Sequence, residues 1–87
     1  MLIEVTAEDI RLGKRDHCYL CPIARAVARQ LKIPFSRKRV EVTEAFVYLN
    51  DPHSFTKMAK LSRRAAKFVK DFDNKKTPQP FKFKLEF

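Results

Sequence analysis

The sequence predicts an α+β domain in which a small antiparallel β-sheet is packed by two main helices. Three observations lead to this prediction. Segments at both termini alternate between apolar and polar residues, two internal segments carry apolar residues at helical spacing, and a β-rich pair of segments lies between those helices. The 87 residues are of the length expected for one domain, 1–87.

The N-terminal segment 2–6, LIEVT, alternates and predicts a strand. Thr6 and Asp9 then have the spacing of a capping box, with Asp where Glu or Gln is usual, so a short helix is expected over 7–12. Gly13 is the only glycine, and we expect it to end this helix in the left-handed conformation that glycine adopts most readily.

The main helix is predicted over 22–32, after a polar connection at 14–20. Pro22 suits the first helical position, and Ile33 before Pro34 is disfavoured in the α conformation, which sets the end. The residues that share its apolar face are Ile23, Ala24, Val27, Ala28 and Leu31.

The segments 37–42 and 45–50 are rich in β-formers and predict a central hairpin, although no Asn-Gly or Asp-Gly marks its turn. The sequence Asn50-Asp51-Pro52 is typical of a second turn. Segment 53–59 alternates weakly, which predicts a short edge strand protected by its lysines.

Ser62 is expected to cap the last helix, 62–73, whose apolar stripe has helical spacing. A loop over 73–80 leads to segment 81–87, FKFKLEF, which alternates without a break and predicts a strand with one apolar face, reaching from Phe81 to Phe87. We therefore expect the two terminal strands and the hairpin to lie in one sheet. The residues of the apolar stripe on the last helix are Ala65, Phe68, Val69 and Phe72.

The charge balance points to an anionic partner. Nineteen Lys and Arg residues stand against ten Asp and Glu residues, which gives a formal net charge of +9. A surface of one sign repels itself and attracts anions, although the charge could also serve solubility alone.

The basic residues are segregated from the acidic ones. Segments 25–39 and 52–70 each contain six basic residues and no acidic residue, whereas solvated helix faces usually mix the two signs. These residues are the candidate binding surface, with the first stripe opposite the apolar face of the main helix and the second on the last helix. They are Arg25, Arg29, Lys32, Arg37, Lys38, Arg39, Lys60, Arg63, Arg64, Lys67 and Lys70.

The segment HCYLCP, 17–22, can be interpreted in three ways. Cys18 and Cys21 have the CxxC spacing of metal ligands, with His17 and His53 as the remaining weak candidates, but a second ligand pair is missing. A redox site is also conceivable, yet here the second cysteine precedes the helix. Because free cysteine is commonly buried as a small apolar residue, packing is the favoured interpretation, and no metal or cofactor is expected.

Other function classes have little support in the sequence. Ser36, Ser54 and Ser62 lie in no nucleophile motif, His53 lies in a turn segment, and no glycine-rich phosphate loop exists, so the protein is not expected to be an enzyme. The N-terminus lacks the features of a signal peptide and no apolar run is long enough to span a membrane. A cytoplasmic location with reduced thiols is expected.

Motifs spread along the chain form a recognisable combination. Their residues are Val5, Thr6, Ile10, Gly13, Cys18, Cys21, Pro22, Ala24, Ala26, Phe68, Phe72, Asp73, Pro80, Phe81, Phe83 and Leu85. Together these motifs resemble a group of short uncharacterised proteins encoded by tailed bacteriophages and prophages. The resemblance extends over nearly the whole chain, and it implies a phage context, in the host cytoplasm, without implying an active site. Where members of that group carry a glycine after the late Asp, this chain has Asn74.

Two functions are compatible with these features. The first is a non-catalytic accessory protein that binds nucleic acid through backbone contacts, since no motif for reading bases is present. The alternative is a modulator that binds an acidic host protein of defence, transcription or replication. Salt dependence separates them, because phosphate binding weakens steeply with salt.

Overall fold

A computed structural model describes residues 1–50 and 55–87, and it confirms the α+β class. The described residues form three α-helices and five strands. In chain order these are β1 (Leu2–Val5), α1 (Ala7–Leu12), α2 (Pro22–Gln30), a 3₁₀ turn (Phe35–Arg37), β2 (Val40–Val42), β3 (Phe46–Leu49), β4 (Lys57–Lys60), α3 (Arg63–Asp73) and β5 (Phe81–Lys84).

The terminal strands meet, as expected, but in a sheet of their own. β1 pairs antiparallel with β5, with Ile3 opposite Phe83, while β2, β3 and β4 form a separate antiparallel sheet in that order. The expectation of one common sheet is wrong, and another segment of the chain lies at the β2 edge. The amide of Val42 donates to the carbonyl of Cys18 at 2.8 Å, so the 14–20 connection lies where a terminal strand would have paired.

Helix α2 is the central element that holds the two sheets together. It contacts β1, β2 and α1, and its residues from Pro22 to Ala28 are buried except for Arg25. It ends at Gln30, two residues before the expected end. Lys32 has φ 58°, and the amide of Ile33 donates to the carbonyl of Ala28 at 2.8 Å, which is a Schellman-type ending with lysine in the left-handed position.

The conformation of Gly13 differs from the left-handed one that was expected. Its φ of −68° is ordinary extended backbone rather than the left-handed conformation. Glycine is needed here for space, since an added Cβ would lie 2.7 Å from the carbonyl oxygen of Asp9 and 2.7 Å from the ring of Pro22. The missing side chain therefore lets the end of α1 approach the start of α2.

The central hairpin turns without glycine because a threonine holds it. The Oγ1 of Thr43 accepts from the amide of Phe46 at 3.0 Å, and the amide of Thr43 donates to the carbonyl of Phe46 at 2.9 Å. Strand β2 begins only at Val40, because 35–37 forms the 3₁₀ turn and Lys38 has φ 51°.

β4 is the expected edge strand, displaced to 57–60. The part of that prediction at 53–54 lies outside the described residues.

Helix α3 packs on β5 through a cluster of phenylalanine rings. The ring of Phe68 lies 4.8 Å from that of Phe81 and 6.2 Å from that of Phe72, while Phe81 lies 5.5 Å from Phe83. All four are buried. The apolar stripe of the last helix is thus confirmed, but β5 ends at Lys84, and Phe87, expected on the buried face, is 40% exposed.

None of the helices that the structure describes combines the length and apolar character needed to cross a membrane.

We expect Phe83→Ala to lower the free energy of unfolding by about 3 kcal/mol, because it leaves a cavity between β5 and the ring cluster. Phe87→Ala is the matched control, since it removes the same ring from a half-exposed position, and it should change stability by less than about 1 kcal/mol. Urea denaturation of both variants measures the difference. Equal losses for the two would contradict the observed end of the buried strand.

Candidate nucleic-acid interface

The basic residues of α3 form an exposed face. Ser62 caps the helix by accepting from the amide of Ala65 at 3.2 Å, and this start sets which residues face outward. The buried positions are those of the predicted stripe, so Arg63, Lys67 and Lys70 lie on the opposite side and are exposed. Arg64 is exposed beside them, with its guanidinium 5.2 Å from the centre of the Phe81 ring.

These four cations have no carboxylate partner within the described part of the chain. Each ion pair found there within 4.0 Å involves other residues: the N-terminus, Arg25, Arg29, Lys76 or Lys82. Asp71, on the same helix, is paired with Lys76 at 3.8 Å. The positive charge of α3 is therefore available to an external anion.

The structure corrects part of the stripe expected on α2: Arg29 and Lys32 are exposed, but Arg25 is not. The side chain of Arg25 is only 15% exposed, and its guanidinium lies 4.6 Å from the centre of the Phe35 ring. Its Nε is 3.8 Å from Asp9 Oδ1 and, among the described residues, has no hydrogen-bond partner. Arg25 thus belongs to the interior of the fold.

Arg29 is engaged by the same carboxylate. One of its terminal nitrogens donates to Asp9 Oδ1 and the other donates to the carbonyl of Glu4 at 2.9 Å. The hydrogen bond to Asp9 raises the pKa of Arg29. Both arginines of the α2 stripe therefore hold β1, α1 and α2 together.

The remaining candidates are divided among different surfaces. Lys32, Arg37 and Lys38 are exposed around the turn that follows α2, while Arg39 is half-buried and its Nε donates to the carbonyl of Asn50 at 3.0 Å. Lys60 is exposed on β4, three residues before Arg63. Of the predicted basic surface, the structure places the four cations of α3 on one exposed side of that helix, with Lys60 exposed shortly before it in the chain.

The cysteine segment is built into the fold. Cys21 is the N-cap of α2, where its Sγ accepts from the amide of Ala24 at 3.5 Å, and it is buried. Burial raises the pKa of the Cys21 thiol to about 11. The buried thiol is therefore less easily ionised than an exposed one, which disfavours thiolate chemistry at this position.

The metal candidates do not form a ligand set where the structure describes them. His17, Cys18 and Cys21 line one cavity of about 340 Å³ together with Asp73, but Nδ1 of His17 accepts from the amide of Leu20 at 3.2 Å. In 1–50 and 55–87, no group of three or more His, Cys, Asp or Glu residues is placed to hold a metal ion. His53 lies outside the described residues, and so does Ser54, whereas Ser62 serves as the helix cap.

Sequence reasoning missed two features. The carboxylate of Asp9 was expected only as part of the capping box, and that role is confirmed, but no sequence pattern indicated its pairing with α2. A groove of about 450 Å³ also lies between α1 and the 77–80 loop, with Phe72 in its wall and Arg11 and Arg15 beside it. The Nε of Arg15 donates to the carbonyl of Phe72 at 2.9 Å, so this arginine has a structural role as well.

Comparison with protein-family models, curated proteins and solved structures finds no match for this chain.

We expect Asp9→Asn to lower the free energy of unfolding by about 2 kcal/mol, because it leaves the largely buried guanidinium of Arg25 and the exposed one of Arg29 without a counter-charge. Asp71→Asn is the control: it breaks the surface ion pair with Lys76 and should cost less than about 1 kcal/mol. Urea denaturation tests both. A neutral result for Asp9→Asn would show that the Asp9 charge does not stabilise the junction.

Cys21 is expected to resist alkylation in the folded protein at about pH 8, because it is buried and protonated. A Cys18→Ser variant isolates its reactivity, and mass spectrometry with iodoacetamide, with and without urea, measures it. Because folding raises the pKa of the Cys21 thiol, burying this thiol also makes the free energy of unfolding depend on pH. Its contribution to that free energy is complete below the ordinary pKa of 9.0 and is lost as the pH rises from 9.0 to about 11. Equal alkylation rates in native and denaturing buffer would contradict this assignment.

Proposed function

We propose that this chain is a non-catalytic accessory protein, of the kind encoded by bacteriophages, that binds nucleic acid through the phosphate backbone. The binding surface is the α3 face, defined as Arg63, Arg64, Lys67 and Lys70, extended by Lys60. One observation carries the proposal: these cations are exposed on one side of a well-packed helix, and no described carboxylate neutralises them.

The spacing of the α3 face suits a repeating anion. Arg63, Lys67 and Lys70 lie along about 10 Å of helix at a rise of about 1.5 Å per residue. A phosphate backbone presents charges at comparable intervals, and each phosphate neutralised by a lysine or arginine releases counterions. The face is anchored by the ring cluster underneath, so binding requires little ordering of the backbone.

The contacts expected on this face are with phosphates rather than with base edges. Sequence-specific reading requires side chains that form paired hydrogen bonds with bases, usually from an element inserted in a groove. Single-sign lysine and arginine side chains on a helix provide affinity and orientation without that specificity. We therefore assign the α3 face to backbone contacts, with little preference for sequence.

The triple variant Arg63→Gln, Lys67→Gln, Lys70→Gln tests this surface. We expect it to lose at least tenfold in affinity for a mixed-sequence oligonucleotide and to flatten the log–log salt dependence by about 2 to 3, since each phosphate contact contributes roughly 0.7 to 0.9. Fluorescence anisotropy between about 50 and 200 mM salt measures both quantities. Because the three side chains are exposed, stability should change by no more than about 0.5 kcal/mol per site.

The matched control is the triple variant Lys14→Gln, Lys82→Gln, Lys84→Gln, which removes the same charge from exposed positions elsewhere. It should retain most of the affinity. Equal losses in the two triple variants would show that net charge, rather than the α3 face, governs binding. Absence of oligonucleotide binding by the parent protein, with nuclease-resistant capture of an acidic protein that depends on the α3 face, would favour the alternative of a host-protein modulator.

A further inference from the structure

The three-stranded sheet has one buried face and one face that is partly exposed to solvent. Val42, Val47 and Ala59 are buried, and Val47 lies opposite both Val42 and Ala59 in the register. Because side chains alternate along a strand, the neighbours of these residues point to the other side. This outer face consists of Glu41, Phe46, Tyr48, Met58 and Lys60.

The outer face is aromatic at its centre. Tyr48 lies in the middle strand, between Glu41 of β2 and Met58 of β4, and the ring of Phe46 is 6.2 Å from the Tyr48 ring at an angle of 44°. Both rings are half-buried, while Met58 is 54% exposed and Phe55, two residues before β4, is 91% exposed. Where exposed apolar side chains are contiguous, the patch they form often marks a binding surface.

The charges around the rings indicate which kind of ligand would bind the outer face. Lys60 is the cross-strand partner of Phe46 and stands at the end of β4, three residues before the first cation of the α3 face. Among the described strand residues of the outer face, the one carboxylate is Glu41, which lies on β2 as the cross-strand neighbour of Tyr48. An anionic chain with flat apolar groups fits this arrangement, because its backbone can follow the β4 edge and α3 while its flat groups stack on the rings.

We infer that the outer face of the β2-β3-β4 sheet stacks the bases of single-stranded nucleic acid on Phe46 and Tyr48, with Lys60 and the α3 face contacting its phosphates. This inference rests on the proposed function and makes it more specific. Aromatic side chains on an open sheet bind unpaired bases of any sequence, since every base has a π-face. Paired bases in a duplex cannot reach the rings, so the surface selects single strands.

The chain offers a direct optical test, because it has two tyrosines and no tryptophan. In the variant Tyr19→Phe, Tyr48 is the only tyrosine, and the replacement retains the ring that packs edge-on against His17. Titration with oligo-dT or oligo-rU of about 12 nucleotides should quench Tyr48 emission. A sugar-phosphate strand of the same length without bases should leave the emission nearly unchanged, with N-acetyltyrosinamide correcting for absorption by the strand.

Affinity gives the second readout. The single strand should bind about tenfold more tightly than both the abasic strand and a duplex of equal length, and Tyr48→Leu should remove that advantage. Tyr48→Phe should keep it, since the ring is retained. Comparison of the affinities for oligo-dT and oligo-rU shows whether DNA or RNA is the preferred strand.

The outcomes separate this inference from the proposed function. Equal binding of the single strand, the abasic strand and the duplex, without quenching, would overturn stacking while leaving phosphate binding in place. No binding to any of them would overturn both. Concentration-dependent self-association in sedimentation, abolished by Tyr48→Leu while oligonucleotide affinity is unchanged, would assign the outer face to a second copy of the chain and overturn the inference.

Discussion

The buried carboxylate of Asp9 is the constraint on which the arrangement of the N-terminal half depends. One of its oxygens accepts from the amide of Thr6 at 3.0 Å and completes the capping box of α1, while the other faces Arg25 and Arg29 of α2. Its side chain is almost completely inaccessible to water, so those partners must replace its hydration. The β1–α1 corner and the middle of α2 are therefore held in one geometry.

This constraint divides the basic residues into two groups with different roles. α2 contacts both sheets, and one carboxylate engages both of its arginines, the largely buried Arg25 and the exposed Arg29. α3 packs on the phenylalanine cluster, and its opposite side faces solvent with cations that no described carboxylate neutralises. The same amphipathic pattern thus produces a structural guanidinium pair on one helix and an available anion-binding surface on the other. Charge alone does not distinguish them; the number of elements packed around each helix does.

The 14–20 connection, which contains Cys18, contributes to the fold mainly through hydrogen bonds of the backbone and of Arg15 rather than through its thiol. The carbonyl of Cys18 pairs with the edge of β2, the amide of Asp16 donates to Asp73 at 3.0 Å, and the Nε of Arg15 donates to the end of α3. Through these bonds the 14–20 connection joins the three-stranded sheet to the C-terminus of α3. It therefore links the two elements that carry the surfaces proposed for binding, the three-stranded sheet and α3.

The sequence by itself determined the elements whose cause is local. Hydrophobic periodicity located α3 and β5, the Thr6–Asp9 spacing located the start of α1, and Pro22 located the start of α2, because helix caps and side-chain alternation depend on neighbouring residues. The tertiary structure decided what depends on distant residues. It split the strands into two sheets, buried Arg25, required Gly13 for close packing rather than for a left-handed turn, and left Phe46 and Tyr48 on an open face. The physical reason is that burial and ion pairing are set by whatever packs from elsewhere in the chain, and a periodic pattern specifies a face without specifying what covers it.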